Sequence, residues 1–266
     1  MLQFLFILAA LYLLCIRCRS GHKGLKDLHG WAYAHRGLHG NGVPENSMAA
    51  FKAALDHGYG IELDVHLLKD GNLAVIHDSL LNRTTGCGGR IEDLTTEQLK
   101  DYRLEGTDET IPEFMDLLML YNGKAPMIIE LKPESGNHAA LCEAVCKMLE
   151  SYKGVFCLES FDPRCVAWLK KNRPDIIRGF LTENFLKTKN DLPGYLQFAL
   201  THCLTNVLCV PDFVAYRFDH RKDSLSNWLC LNLWKAHGVT WTVRSKADYD
   251  TAVAEGLIPI FENFEP

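Results

Sequence analysis

A TIM-type (β/α)₈ barrel is the fold this sequence predicts, and three observations predict it. Short β-like runs alternate regularly with helix-like stretches. Eight such runs can be counted along the chain. A length of 266 residues with 47% hydrophobic composition supplies the core that one α/β barrel requires. The strand candidates are Trp31–Arg36, Gly60–Val65, Pro126–Leu131, Val155–Glu159, Ile176–Leu181, Asn206–Val210, Val239–Val243 and Leu257–Phe261. Helices are expected over Asn46–His57, His138–Ser151, Pro163–Asn172, Ser224–His237 and Lys246–Glu255, several of them opened by Asn, Pro or Ser in positions that suit a helix start. The barrel is thus expected over residues 31–266.

One connection is too long for this rhythm. Between Val65 and Ile111 lie about 45 residues that include Asp70-Gly71, a short apolar run ending at His77, and Gly86, Gly88 and Gly89. Connections of that length in a compact domain are usually functional, so a small subdomain inserted after the second strand, about residues 66–110, is expected on the catalytic face.

The amino terminus has a different character. Met1 to Ile16 is apolar apart from Gln3, and Arg17, Arg19, Lys23 and Lys26 follow it. At ~1.5 Å per residue the run reaches about 24 Å, short of the ~30 Å hydrocarbon core, so spanning would need a thinned bilayer or snorkelling arginines. No positive charge precedes the run and no small-residue cleavage site follows it, which favours an uncleaved membrane anchor helix over residues 1–19. The basic residues on its carboxyl side place the catalytic domain on the cytoplasmic side by the positive-inside rule. Residues 20–30 read as a linker. The ten cysteines are scattered and read as reduced, with Cys157, Cys203 and Cys209 acting as small hydrophobes in apolar runs. A net charge of −5 supplies no basic face for nucleic acid, so any anionic ligand must be met locally.

Charged residues that fall at strand ends carry the chemistry. Glu62-Leu63-Asp64 puts two carboxylates on one side of a strand. In a parallel barrel both faces of a strand are covered, so such a pair calls for a neutralising cation or hydrogen bonds. Met127 to Lys132 repeats the arrangement, with Glu130 completing a three-carboxylate set and Lys132 available to a phosphate oxygen. Oxygen-only ligation favours one divalent cation, Mg²⁺ or Ca²⁺. His35-Arg36-Gly37 ends the first strand candidate, where a guanidinium can grip a phosphate and glycine allows close approach. His77-Asp78 ends the β-like run within the long connection. Two histidines beside a cation site are what acid–base cleavage of a phosphodiester needs, one activating the nucleophile and the other protonating the leaving alkoxide. Asn46 and Ser47 suit either a helix cap or a substrate contact. Trp241 suits a pocket wall or the core.

The ordered series His35-Arg36-Gly37, Pro44-Glu45-Asn46-Ser47, Glu62-Leu63-Asp64-Val65, Lys69-Asp70-Gly71, His77-Asp78, Asn82-Arg83-Thr84-Thr85 and Glu130-Leu131-Lys132 resembles the glycerophosphodiester phosphodiesterase family, and the anchor resembles its membrane-associated bacterial members. The resemblance implies a TIM barrel that hydrolyses a small-molecule glycerophosphodiester to sn-glycerol 3-phosphate and an alcohol. It also implies Glu62, Asp64 and Glu130 as metal ligands, His35 and His77 as the acid–base pair, and Arg36 and Lys132 as phosphate contacts. One departure stands out: many members end the eighth strand with Thr-Asp followed by Pro, where this chain has Phe261-Glu262-Asn263-Phe264-Glu265-Pro266. Two alternatives stay open. A phospholipase D-like or sphingomyelinase-like relative would act on intact lipids, and a catalytically silent barrel would only bind phosphodiesters.

Overall fold

In the computed structural model, which describes residues Met1–Pro266, the alternating runs form nine strands. In chain order they are β1 (Tyr33–His35), β2 (Gly60–Leu67), β3 (Leu73–Val75), β4 (Met127–Leu131), β5 (Phe156–Ser160), β6 (Arg178–Thr182), β7 (Phe213–Arg217), β8 (His237–Val243) and β9 (Ile258–Phe261). All but β3 are parallel, and β1 pairs with both β2 and β9, which closes an eight-stranded barrel. β3 pairs antiparallel with the outer half of β2.

Period-two alternation sorts the strand residues into two cores. Ile61, Leu63, Val65, Met127 and Ile129 face outward against Phe51, Phe114 and Leu141 of the surrounding helices. Ile128, Cys157, Phe213, Val239 and Ile258 pack together in a second cluster that fills the barrel. The stretch expected as a linker does more than connect: Lys23–Leu28 folds as a 3₁₀ helix, and its Leu25 and Leu28 join that interior cluster. The end of the barrel opposite the strand carboxyl termini is thereby closed.

Asn206–Val210 is not a strand. It forms a helical turn, Asn206–Cys209, ended by Val210 in the left-handed region ahead of Pro211. Asn206 and Cys209 are buried whereas Val207 and Leu208 are exposed, and that three-residue spacing is helical rather than alternating. The strand for this position in the barrel is β7, a few residues later. The helix expected to reach His237 also stops early, at Asn232, and His237 opens β8.

Between β2 and Ile111 the chain forms β3, a helical turn over Asn82–Thr85 and two 3₁₀ turns. Nine buried apolar residues there, Leu68, Ile76, Leu81 and Ile111 among them, make a cluster separate from the barrel cores. This segment carries His77 and Asp78 on the catalytic side.

The apolar amino terminus is helical over Leu2–Cys15. Those 14 residues reach about 21 Å at 1.5 Å per residue, and no helix of the structure is long and apolar enough to cross a membrane. The expectation of a transmembrane helix therefore fails on length. Tyr12 and Ile16 fasten the carboxyl end of this helix to the barrel. The Tyr12 hydroxyl meets Ser226 at 2.7 Å, and Ile16 is buried among Cys203, Tyr216 and Cys230. Leu2, Phe4, Leu5, Phe6, Ile7 and Leu8 are all exposed.

Candidate active site

The functional side chains gather at the carboxyl ends of the strands, where parallel-barrel enzymes place their sites. Alternation along β2 turns Glu62 and Asp64 inward, and the register sets Asp64 beside Glu130 of β4. Glu62, Asp64 and Glu130 are 3%, 1% and 6% exposed, with ligand oxygens all within 4.8 Å of one another. Counter-charges are close: Lys132 Nζ lies 3.0 Å from Glu130 and 3.4 Å from Asp64, and Arg36 Nε lies 3.4 Å from Asp64. Asn46 also donates to Asp64, at 2.9 Å. Burial alone would raise the pKa of Asp64, yet Lys132, His77 and Arg36 hold it well below the usual carboxylate range. For Glu62 the charge of Arg36 is outweighed. Burial, followed by the charges of Asp64 and Glu130, pushes its pKa well up.

These residues fit a hard divalent cation. Their donors are oxygen only, one buried oxygen of Asp64 makes no hydrogen bond, and the unfavourable state of Glu62 is the one an added positive charge would relieve. Glu62, Asp64 and Glu130 would be its ligands.

The two histidines are held alike. His35 Nδ1 donates to Glu262 at 3.0 Å, which leaves Nε2 facing the acids, 3.9 Å from Glu62. His77 Nδ1 donates to Asp78 at 2.6 Å. In each case a carboxylate fixes the tautomer and frees Nε2. Burial lowers the pKa of His35, opposed by its bond to Glu262. Glu262 is itself gripped by Arg244 at 2.8 Å and lies 3.4 Å from His39. Despite burial, His35 and His39 keep its pKa well below the ordinary range.

A charged network links His77 to Arg36. Arg83 donates to Asp78 and to both oxygens of Glu45, and Arg36 donates to Glu45 at 3.0 Å. Arg36 holds a positive φ of 54°, and its backbone N–H donates to Glu62 at 3.2 Å. Gly37 follows because nothing larger fits: at φ +80° an added Cβ would stand 2.8 Å from the Ala50 backbone.

His35, Arg36, Glu62, His77, Glu130 and Trp241 line one cavity, and Asp64 and Lys132 adjoin it. All eight residues singled out from the sequence thus converge. Trp241 serves both readings offered for it: it lines the cavity while its indole N–H donates to Ala215 at 3.1 Å and its ring meets Phe161 edge-on. Ser47 is a helix cap, accepting from Ala50 N–H, whereas Asn46 caps nothing and serves Asp64.

Four contributors escaped the sequence reading. Glu262 and Glu159 follow the same rule as Glu130, an acid closing an apolar strand. His66 continues the inward series of Glu62 and Asp64; it bonds Glu92 at 2.7 Å and touches the His77 carbonyl at 3.2 Å, bracing the backbone of that residue. Glu92 had no signal, because only the folded connection brings it there.

Residues 35–264 match the family model described as the glycerophosphoryl diester phosphodiesterase family. The chain belongs to this family. Among curated relatives, a glycerophosphodiester phosphodiesterase of Bacillus altitudinis is 39% identical over 161 residues, covering 56% of this chain and 65% of that protein. One from Caldanaerobacter subterraneus is 35% identical over 158 residues, with the same coverage. The matched region thus spans just under two thirds of those relatives. Among solved structures, an Oleispira antarctica phosphodiesterase in complex with the product sn-glycerol-3-phosphate superposes with a TM-score of 0.73 at 22% identity, covering 91% of this chain and 95% of that one. At that identity the likeness establishes the barrel. The family's name agrees with the chemistry that the converging acids, histidines and cations can perform.

Proposed function

We propose that this protein hydrolyses glycerophosphodiesters to sn-glycerol 3-phosphate and an alcohol, with His35 and His77 as the proton-transfer pair. The observation that carries this reading is the convergence of both imidazoles, the three carboxylates and Arg36 on one cavity. The neighbouring groove is lined by His77, Arg83, Glu130, Lys132 and Phe161 but not by His35. That asymmetry divides the labour. Glycerol occupies the inner cavity beside His35, whose burial keeps it neutral and fit to accept a proton, and the alcohol leaves through the groove beside His77.

In the first step His35 Nε2 takes the proton from the glycerol hydroxyl next to the phosphate. The oxygen attacks phosphorus, the P–O bond to the alcohol breaks, and His77 gives that oxygen its proton. In the second step His77 deprotonates water, which opens the cyclic phosphate while His35 returns a proton to the ring oxygen. Arg36 and Lys132 balance charge on the phosphoryl oxygens. A Mg²⁺ or Ca²⁺ ion held by Glu62, Asp64 and Glu130 would add Lewis-acid polarisation of the phosphate. Release of sn-glycerol 3-phosphate from a panel of glycerophosphodiesters tests the proposal. Turnover of lysophosphatidylcholine alone would replace it with the lipid-cleaving reading.

Glu262 is the positioning partner of His35 in this scheme. Glu262→Gln is expected to lower kcat about tenfold with KM nearly unchanged, the size of one charge-assisted hydrogen bond. An equal loss in Glu262→Gln and Glu262→Ala expressed only in KM would deny it that role. Its lowered pKa also has a sign. The stability it contributes is present above the ordinary carboxylate range and is lost as pH falls through its folded value.

The apolar helix is read as a membrane attachment that keeps the barrel on the cytoplasmic face. Support comes from its exposed, charge-free surface and from the basic residues after it, which suit an anionic headgroup layer. Phe4→Glu with Leu8→Glu is expected to reduce cosedimentation with phospholipid vesicles at least tenfold, since each buried apolar side chain contributes about 1.5–3 kcal/mol. Unchanged cosedimentation would refute the attachment.

A further inference from the structure

Glu159 is a fully buried acid without a role in the scheme above. It is 0% exposed on β5, and neither carboxyl oxygen has a hydrogen-bond partner. The register explains its isolation. Across one side stands Glu130, another acid, and across the other Gly179, whose missing side chain is replaced by the ring of Phe213. Glu159 nevertheless lines the same cavity as His35 and Arg36, whose apolar lining residues are Phe161, Leu181, Trp241 and Ile260. A buried polar group left unpaired is costly, and persists where something else pairs it.

The proposed cleavage uses only the glycerol hydroxyl beside the phosphate. The terminal hydroxyl then has to sit somewhere in a chamber where His35, Arg36, Glu62, His77 and Glu130 already serve proton transfer, the phosphate or the cation, which leaves Glu159 as the polar group without a partner. We propose that Glu159 binds the terminal hydroxyl of the glycerol moiety and thereby selects free glycerol over glycerol acylated at that position. The two oxygens of this carboxyl group, both without a partner, can accept a hydrogen bond from a hydroxyl. An acyl ester offers no proton to this carboxyl, and its chain would meet Leu181 and Ile260.

This inference rests on the proposed function, and the test separates the two. Glycerophosphocholine is compared with its 1-deoxy analogue, which keeps the attacking hydroxyl and lacks the terminal one, for wild type, Glu159→Gln, Glu159→Leu and Glu159→Ala. Binding of sn-glycerol 3-phosphate and of its 1-deoxy counterpart is measured by calorimetry in magnesium-containing buffer. Wild type is expected to prefer the terminal hydroxyl by about 10- to 100-fold in kcat/KM and in affinity. Glu159→Gln retains that preference within about threefold, while Glu159→Leu and Glu159→Ala abolish it by weakening only the hydroxyl-bearing ligand. Losses of equal size on both ligands, or a wild type indifferent to the terminal hydroxyl, would overturn the inference and leave the proposed function standing. A binding preference that responds to Glu159 without any turnover would uphold the inference and remove the proposed hydrolysis.

Discussion

His77→Ala is expected to lower kcat on glycerophosphocholine by about 10²–10⁴-fold, the span of general acid–base catalysis, and to do far less to a substrate whose leaving group is p-nitrophenolate. A choline alkoxide cannot depart without a proton, whereas a nitrophenolate can, so loss of the acid is felt only where the acid is needed. His35→Ala is expected to slow both substrates by a comparable factor, because the attacking hydroxyl must be deprotonated whichever group leaves. The asymmetry follows from where the two imidazoles sit. His77 borders both the inner cavity and the open groove, while His35 borders the cavity alone. Both variants should fold, since His77 is about a third exposed at its side chain and His35 gives up one hydrogen bond, that to Glu262. Steady-state kinetics on the two substrates decide the matter. If His77→Ala slows the nitrophenyl ester as severely as the choline ester, His77 is not the acid of the first step; if the pattern is inverted between the two variants, their roles are exchanged.

How much of this was legible beforehand depends on which physical signal each residue carried. Glu62, Asp64 and Glu130 announced themselves because alternation along an apolar strand makes an inward acid conspicuous, and the parallel register then forces neighbouring strands to present such acids side by side. His35, Arg36 and Gly37 were legible from their place at a strand end, and the tight approach of Gly37 to Ala50 gives the glycine its reason. Asn206–Val210 misled because an apolar run of that length does not distinguish a strand from a helical turn, and only the burial of every third residue settles it. The amino-terminal run was correctly apolar, but a chain's hydropathy does not say where its helix will end; Ile16 leaves the helix to pack beneath Tyr216 and Cys230, shortening it below membrane length. Glu92 and Arg244 lie far in sequence from the groups they hold, and their contribution exists only after folding.

Removing divalent cations is expected to abolish turnover and, in the same sample, to lower the melting temperature. The structure supplies the reason for coupling these two readouts. Glu62, Asp64, Glu130 and Glu159 bring four buried carboxyls to one end of the barrel, against the two adjacent cations Arg36 and Lys132. A cation present at about a hundred times its dissociation constant stabilises the native state by about 2.7 kcal/mol, worth several degrees in a chain of this size. The cation-free protein should also show an uncommon pH response. The folded pKa of Glu62 lies above its ordinary value, so the native state binds the extra proton more readily than the unfolded chain does, and stability rises as pH is lowered from neutrality towards the carboxylate range. With cation bound the carboxylate form is the one stabilised, and that gain vanishes. Glu62→Gln separates the electrostatic cost from the catalytic need: it is expected to be inactive, insensitive to chelator, and more heat-stable than the chelated wild type. Full activity after exhaustive chelation would deny the carboxylates a catalytic cation. A melting temperature that rises on chelation would show that the three acids are already satisfied without one.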